Sequence, residues 1–184
     1  YTWNDANELM IEYNAVSDAD TILNITNHSY FNIGCGGQAA GDVLGAQVQI
    51  ASAKYTPINE KRLPTGEICD VAGTAMDFRE FHDIGSRIGE DDANAQTVSG
   101  YDHNYILPGN PGEICYAAAV RDPESRRIVE VFTDMPGVQL YTAKELVEQG
   151  GKGGITYGNF GGLCFETQQY PNGINEPKFP SPIL

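Results

Sequence analysis

Residues 116–133, Tyr116-Ala117-Ala118-Ala119-Val120-Arg121-Asp122-Pro123-Glu124-Ser125-Arg126-Arg127-Ile128-Val129-Glu130-Val131-Phe132-Thr133, carry the reading that decides the fold. Two short runs rich in apolar and β-branched residues, Tyr116 to Val120 and Ile128 to Thr133, flank Asp122-Pro123-Glu124-Ser125. That tetrapeptide is turn chemistry: proline presets φ for a turn, and Asp and Ser side chains bond to nearby backbone. The pattern predicts a β-hairpin, and a hairpin makes its sheet antiparallel.

The same alternation recurs outward from this hairpin. Leu9, Ile11, Tyr13 and Ala15 alternate with Met10, Glu12 and Asn14 after the turn-forming Asn4-Asp5-Ala6-Asn7. The run Thr21 to His28 puts Leu23 and Ile25 on one face and Asn24, Thr26 and His28 on the other. Val43 to Ile50, Val138 to Thr142 and Leu163 to Gln168 complete the set of strands expected from period-2 patterning. Many short strands separated by Gly, Pro, Asn and Asp point to an all-β chain, a large antiparallel β-sandwich with little helix. Two short helices are expected. One is Phe78 to Ile88, with apolar Phe78, Phe81, Ile84 and Ile88 at three- and four-residue spacings; the other is Ala143 to Gln149, ending at Gly150. The segment from Gly150 to Gly162 holds seven glycines in thirteen residues, yet it matches no phosphate-binding fingerprint and reads as an inter-strand loop.

Composition narrows the function. The chain has 184 residues, and with no repeat or low-complexity linker to divide it, it reads as one domain. Eleven Lys+Arg against 25 Asp+Glu give a net charge of −14, which repels phosphate backbones and anionic lipid, so neither nucleic acid nor a membrane is the expected partner. No apolar run is long enough to span a bilayer. Cys35, Cys69, Cys115 and Cys164 are scattered without a CxxC pair, the pattern of reduced thiols rather than of a zinc site or disulfide framework, and on this ground a cytoplasmic location is expected. No nucleophile elbow, HExxH, calcium loop or dinucleotide fingerprint is present, so no cofactor and no metal are expected, and the chemistry left is acid/base.

Four polar clusters lie on or at the ends of expected strands: residues 27–32, 100–104, 134–141 and 164–168. His28 ends a strand on its polar face, where an imidazole can donate a proton near neutrality; the plainer alternative is a hydrogen-bonded strand-end residue. His82, in the first expected helix, is read as structural. Glu166 stands in a mostly apolar strand, where a carboxylate is either a cleft-facing base or acceptor, or the partner of a structural cation. Asp102 and His103 are neighbours on a strand and point to opposite faces, so at most one reaches a given pocket, and Asp102 is favoured. Gln139 offers a donor and an acceptor suited to sugar hydroxyls, or alternatively a satisfied strand amide. Trp3, Tyr30, Phe31, Tyr101 and Tyr141 could supply an apolar wall for a sugar, or simply belong to the core.

Taken in order, these clusters resemble the aldose 1-epimerase family, the galactose mutarotases. Thr21-Ile22-Leu23-Asn24-Ile25-Thr26-Asn27-His28-Ser29-Tyr30-Phe31-Asn32 is similar to the family's strand and NHSYFN motif. Tyr55-Thr56-Pro57, Leu63-Pro64-Thr65-Gly66-Glu67-Ile68, Val71-Ala72-Gly73-Thr74 and Asp77-Phe78-Arg79 continue the match. Gly100-Tyr101-Asp102-His103-Asn104, Pro136-Gly137-Val138-Gln139-Leu140-Tyr141-Thr142, Glu166-Thr167-Gln168 and Phe179-Pro180-Ser181 extend it over nearly the whole chain. Gln169 stands where the family often has His.

The resemblance implies a galactose mutarotase-type sandwich that interconverts the α and β anomers of free aldohexoses such as galactose and glucose without a cofactor. It implies Glu166 as general base at the anomeric hydroxyl and His28 as general acid at the ring oxygen. Asp102 and Gln139 are implied to hold the sugar hydroxyls. The family also carries an N-terminal portion with an arginine and a second histidine at the sugar, and it continues beyond Pro182-Ile183-Leu184, so the chain reads as incomplete at both ends. Two other readings compete: a non-catalytic carbohydrate-binding domain of the same fold, and a glycoside hydrolase using Asp102 and Glu166.

Overall fold

The computed structural model describes residues 1–34, 41–88, 98–110, 112–147 and 150–184. Their strands are β1 (Thr2–Trp3), β2 (Leu9–Met10), β3 (Gln47–Ile50), β4 (Lys54–Thr56), β5 (Cys69–Asp70), β6 (His82–Asp83), β7 (Asp102–Ile106), β8 (Cys115–Arg121), β9 (Ile128–Thr133), β10 (Gly137–Tyr141) and β11 (Cys164–Gln168). One short helical turn, α1 (Ile84–Arg87), follows β6. Besides the β1-β2 ribbon there are two sheets, five-stranded in the order β11-β10-β7-β4-β5 and four-stranded in the order β6-β3-β8-β9. Every strand pairing is antiparallel.

The hairpin read first is present as β8 and β9. The Asp122 carboxylate accepts from the Ser125 N–H at 2.6 Å, the Asp122 N–H donates to the Arg127 carbonyl at 3.0 Å, and Arg126 takes the left-handed conformation that closes the turn. Alternation then sorts the side chains. Val48 and Ile50 of β3 and Ala118 and Val120 of β8 face one way from the four-stranded sheet, toward Tyr55, Tyr105, Val138, Leu140 and Phe165 of the five-stranded one. These residues form one buried cluster between the two sheets, the core of an antiparallel sandwich.

Several expectations are corrected. Of the strand expected over Leu9 to Ala15 only Leu9–Met10 forms, paired to Thr2–Trp3. Of its apolar face, Leu9 and Tyr13 are exposed and Ile11 is half-buried. The stretch Thr21 to His28 is not a ladder strand: it makes one isolated bridge, Ile22 to Ile183, and a second, Phe31 to Leu163, lies just beyond it. Side-chain amides take the place of a neighbouring strand there, since Asn24 accepts from the Gln169 N–H at 2.9 Å and donates to the Gln169 carbonyl at 3.1 Å. Leu23 and Ile25 are nonetheless half-buried while Asn24 and His28 are exposed, but Thr26 on the expected polar face is half-buried as well, so the alternation holds only in part.

The helix expected over Phe78 to Ile88 shrinks to Ile84–Arg87. Asp77 accepts from the Arg79 N–H in a turn, and His82–Asp83 joins the edge of β3 instead. The helical spacing of Phe78 and Ile84 arises because both are anchored in the core, Phe78 from non-helical backbone and Ile84 from the first residue of α1. Over the second expected helix, Ala143 adopts a positive φ of 49° and its carbonyl accepts from Phe160, so the backbone turns rather than coils, among the described residues of that stretch. Residues 148 and 149 of that expected helix, and Cys35, lie outside the described residues. The glycine-rich segment is a loop with a single 3-10 turn, as expected.

One glycine is fixed by packing. A Cβ on Gly137 would meet the buried Asn104 side-chain oxygen, which lies over the first residue of β10. Gly137→Ala is therefore expected to destabilise the fold by about 1–3 kcal/mol. In the Asn104→Ala background the same change is expected to cost much less, which thermal unfolding of the four proteins of that cycle would show.

Candidate active site

Strands β7, β10 and β11 lie side by side, and their register assembles the site. Gln139 pairs across to Glu166 on one side and Asn104 on the other, while Tyr141 pairs with Cys164 and Asp102. Because directly paired residues share a face, Asp102, Gln139, Tyr141, Cys164, Glu166 and Gln168 all project from the five-stranded sheet away from the core. The intervening residues His103, Tyr105, Val138, Leu140 and Phe165 point inward. His103 is fully buried, and its Nδ1 accepts from the Asp102 backbone N–H at 3.1 Å. The expected opposition of Asp102 and His103 is thus realised.

His28 reaches this face from a different part of the chain. The Asn27 side chain accepts from the Ser29 N–H at 3.1 Å, forming a local turn that presents the imidazole, and the Phe31 to Leu163 bridge fixes the segment just beyond it. Gly162 permits that approach, since a Cβ there would come within 3.2 Å of the Tyr30 Cβ. His28 Nε2 lies 3.4 Å from Glu166 Oε1, and its Nδ1 lies 3.4 Å from Cys164 Sγ. The His28 side chain is 47% exposed and that of Glu166 only 12%, so the imidazole is the solvent-facing member of the pair.

A polar chain runs along the sheet beside them. Gln139 donates to Asp102 Oδ1 at 2.7 Å, and Gln168 donates to Gln139 Oε1 at 3.1 Å. The strong contact from Gln139 fixes its amide orientation, nitrogen toward the carboxylate. Two of the five candidate aromatics stand at the site: Tyr30 lies 5.0 Å from the His28 ring, centroid to centroid, and Tyr141 meets it edge-on at 5.9 Å. Tyr101 is core, packed on Phe78; Phe31 packs against the core; and Trp3 is exposed in β1.

Burial sets the electrostatics. It pushes the Glu166 carboxyl above the usual carboxylate range, His28 draws it back down, and the Asp102 charge adds to the upward push. Burial likewise raises Asp102, against the hydrogen bond from Gln139, which favours its ionised form. The Cys164 thiol is pushed up to about 12 by burial and then by the charges of Glu166 and Asp102, which keeps it protonated at neutral pH. Glu166 is accordingly a carboxylate with raised basicity, 3.4 Å from the His28 imidazole.

The four residues singled out from sequence, His28, Asp102, Gln139 and Glu166, therefore meet on one face. Cys164 and Gln168 carry no such mark in the sequence, although two-residue spacing from Glu166 places both on its face. Arg62, which pairs with Glu145 at 2.8 Å and whose charge favours ionisation of Asp102, has no local signal either.

An antiparallel sandwich thus bears a histidine-carboxylate pair beside a row of amides and acids on one outer sheet face. The model of the aldose 1-epimerase family matches residues 1–184, and the chain belongs to this family. It is 40% identical to the galactose mutarotase of Mus musculus over 98% of its length, and 39% identical to that of Homo sapiens, covering 51% of each relative. The aldose 1-epimerase of Escherichia coli is 33% identical, again with 51% of the relative covered. The chain thus spans about half the length of the curated relatives it matches. Among solved structures, galactose 1-epimerase from Lactobacillus acidophilus superposes with a TM-score of 0.69 at 30% identity, covering 92% of this chain and 48% of that one. An aldose epimerase homologue from C. elegans shares the fold, with a TM-score of 0.76 at 22% identity over 91% of this chain and 48% of the other.

Proposed function

We propose that this chain carries the acid/base centre of an aldose 1-epimerase that interconverts the α and β anomers of free aldohexoses such as galactose and glucose. The observation that supports it most is the 3.4 Å approach of His28 Nε2 to Glu166 Oε1 on a sheet face lined by Asp102 and Gln139. A domain that merely bound sugar would have no use for an acid and a base placed together; an anomerase needs both.

In this reading the Glu166 carboxylate takes the proton from the anomeric hydroxyl as the C1–O5 bond breaks, and the His28 imidazolium gives its proton to the ring oxygen O5. The product is the open-chain aldehyde, with Glu166 protonated and His28 neutral. Rotation about C1–C2 turns the other carbonyl face toward O5. Neutral His28 then removes the O5 proton, the ring closes, and Glu166 returns its proton to the carbonyl oxygen. Both groups finish as they began, so no further reactant is consumed. Each such proton transfer contributes about 10²- to 10⁴-fold.

Gln139 and Asp102 are proposed to hold the sugar hydroxyls. The Asp102 carboxylate accepts, and Gln139, its amide turned by Asp102 and Gln168, presents a fixed pattern to the ligand. Gln139→Ala is expected to raise KM about two- to tenfold, the worth of one hydrogen bond between neutral groups, with a smaller change in kcat. A fall in kcat at constant KM would place Gln139 in the chemical step instead.

The described residues contain no helix long and apolar enough to cross a membrane. Cys69, Cys115 and Cys164 are all free thiols, which supports the proposal that the protein works in a reducing cytoplasm.

A further inference from the structure

The contact between Cys164 and His28 has no part in the mechanism above. His28, Cys164 and Glu166 each offer a donor atom, and these lie within 4.8 Å of one another. Imidazole, thiolate and carboxylate are the three ligand types that Zn²⁺ takes, at about 2.0–2.3 Å. Two donors on a tetrahedral zinc therefore stand about 3.3–3.6 Å apart. The separation of His28 Nδ1 from Cys164 Sγ, 3.4 Å, is already such an edge. Glu166 Oε1 lies 3.4 Å from the other ring nitrogen, Nε2, so its side chain turns toward Nδ1 to close the third corner, and the half-exposed His28 leaves a path from solvent.

We propose that His28, Cys164 and Glu166 form an inhibitory site for a thiophilic divalent cation, Zn²⁺ in the first instance, whose binding removes the acid and the base from the sugar together. The ion is not a cofactor: both residues are needed free for proton transfer. On binding, the Cys164 thiol loses its proton to solvent and the thiolate coordinates, as metal-bound thiols do. Hard cations such as Mg²⁺, which favour oxygen donors, are excluded by the same ligand set. The inhibitory consequence rests on the mutarotase reading, whereas the metal site does not.

The test separates the two. Calorimetric titration of the purified protein with ZnCl₂ is expected to show one site, weakened at least about tenfold in Cys164→Ser, and no site for Mg²⁺. With Cys35, Cys69 and Cys115 all replaced by serine, only one thiol remains among the four cysteines of the sequence. This protein is expected to bind Co²⁺ with a thiolate-to-metal charge-transfer band, a readout that does not need Cys164→Ser to fold. Mutarotation, followed by polarimetry, should stop on zinc addition and return with a chelator. Zinc affinity unchanged by Cys164→Ser, absence of a zinc site, or cobalt bound without the thiolate band would overturn the site. Full mutarotation by the zinc-loaded protein would overturn the inhibition. Metal binding in a protein that shows no mutarotation would leave the site standing and remove the mutarotase reading.

Discussion

Replacing Glu166 by Gln is expected to lower kcat for anomer interconversion by about 10²- to 10⁴-fold, leave the affinity for galactose close to its starting value, and raise the stability of the fold at neutral pH. The first effect follows from removal of the proposed base. The amide keeps the shape and an acceptor oxygen, so hydroxyl contacts through Asp102 and Gln139 are undisturbed. The third effect follows from the sign of the shift. Burial raises the Glu166 carboxyl above its unfolded value, so the folded state binds the proton more tightly than the unfolded one. Stability from the protonated form is complete below the unfolded carboxyl range and declines as pH rises through the folded pKa. At neutral pH the buried charge is a net cost, and Gln removes it. The stability gain should therefore vanish when unfolding is measured at acid pH, below about 3, where the carboxyl is protonated in both states. A Glu166→Gln protein that turned over normally would remove Glu166 from the mechanism; one less stable than the parent at neutral pH would remove the argument from burial.

The loss of His28 gives the second large effect. His28→Asn is expected to slow turnover by a similar factor, about 10²- to 10⁴-fold, because in the proposed mechanism the ring oxygen then has no acid at its side. It should also leave a signature that Glu166→Gln does not. The imidazole charge draws the Glu166 carboxyl down, so without it the base titrates higher. The acidic limb of the residual kcat/KM profile, where activity falls as Glu166 protonates, is expected to move to higher pH. Asp102→Asn acts with the opposite sign, since the Asp102 charge pushes Glu166 up, and it should move that limb lower. An acidic limb fixed in both variants would show that another group controls it.

Local pattern carries the strands that have partners nearby and fails where the hydrogen bonds go elsewhere. The β8-β9 hairpin, β10 and β11 are legible because turn chemistry and alternation agree with the packing that the sheets impose. Thr21 to His28 has the same alternation, but it is held by the Asn24 side chain and one isolated bridge at Ile22, contacts 145 residues apart in the case of Asn24 and Gln169. No local signal announces such partners. The helix expected from Phe78 to Ile88 fails for a related reason: the edge of β3 offers His82–Asp83 a ladder.

The site shows the same division. Alternation places Asp102 on the opposite face from His103, and an isolated carboxylate in an apolar strand marks Glu166. The neighbours that tune them, Cys164 beside His28 and Gln168 behind Gln139, depend on strand register, which pattern alone leaves open. The resemblance to a family implies the roles proposed for His28 and Glu166; the sheet geometry brings the two within 3.4 Å of each other.

The most direct test of the central claim is the optical rotation of freshly dissolved α-D-galactose, followed to equilibrium with and without the purified protein and with its Glu166→Gln variant. The account predicts relaxation faster than in buffer with the parent protein and a rate indistinguishable from buffer, or nearly so, with the variant. Equal acceleration by both proteins, or none by the parent, would contradict it.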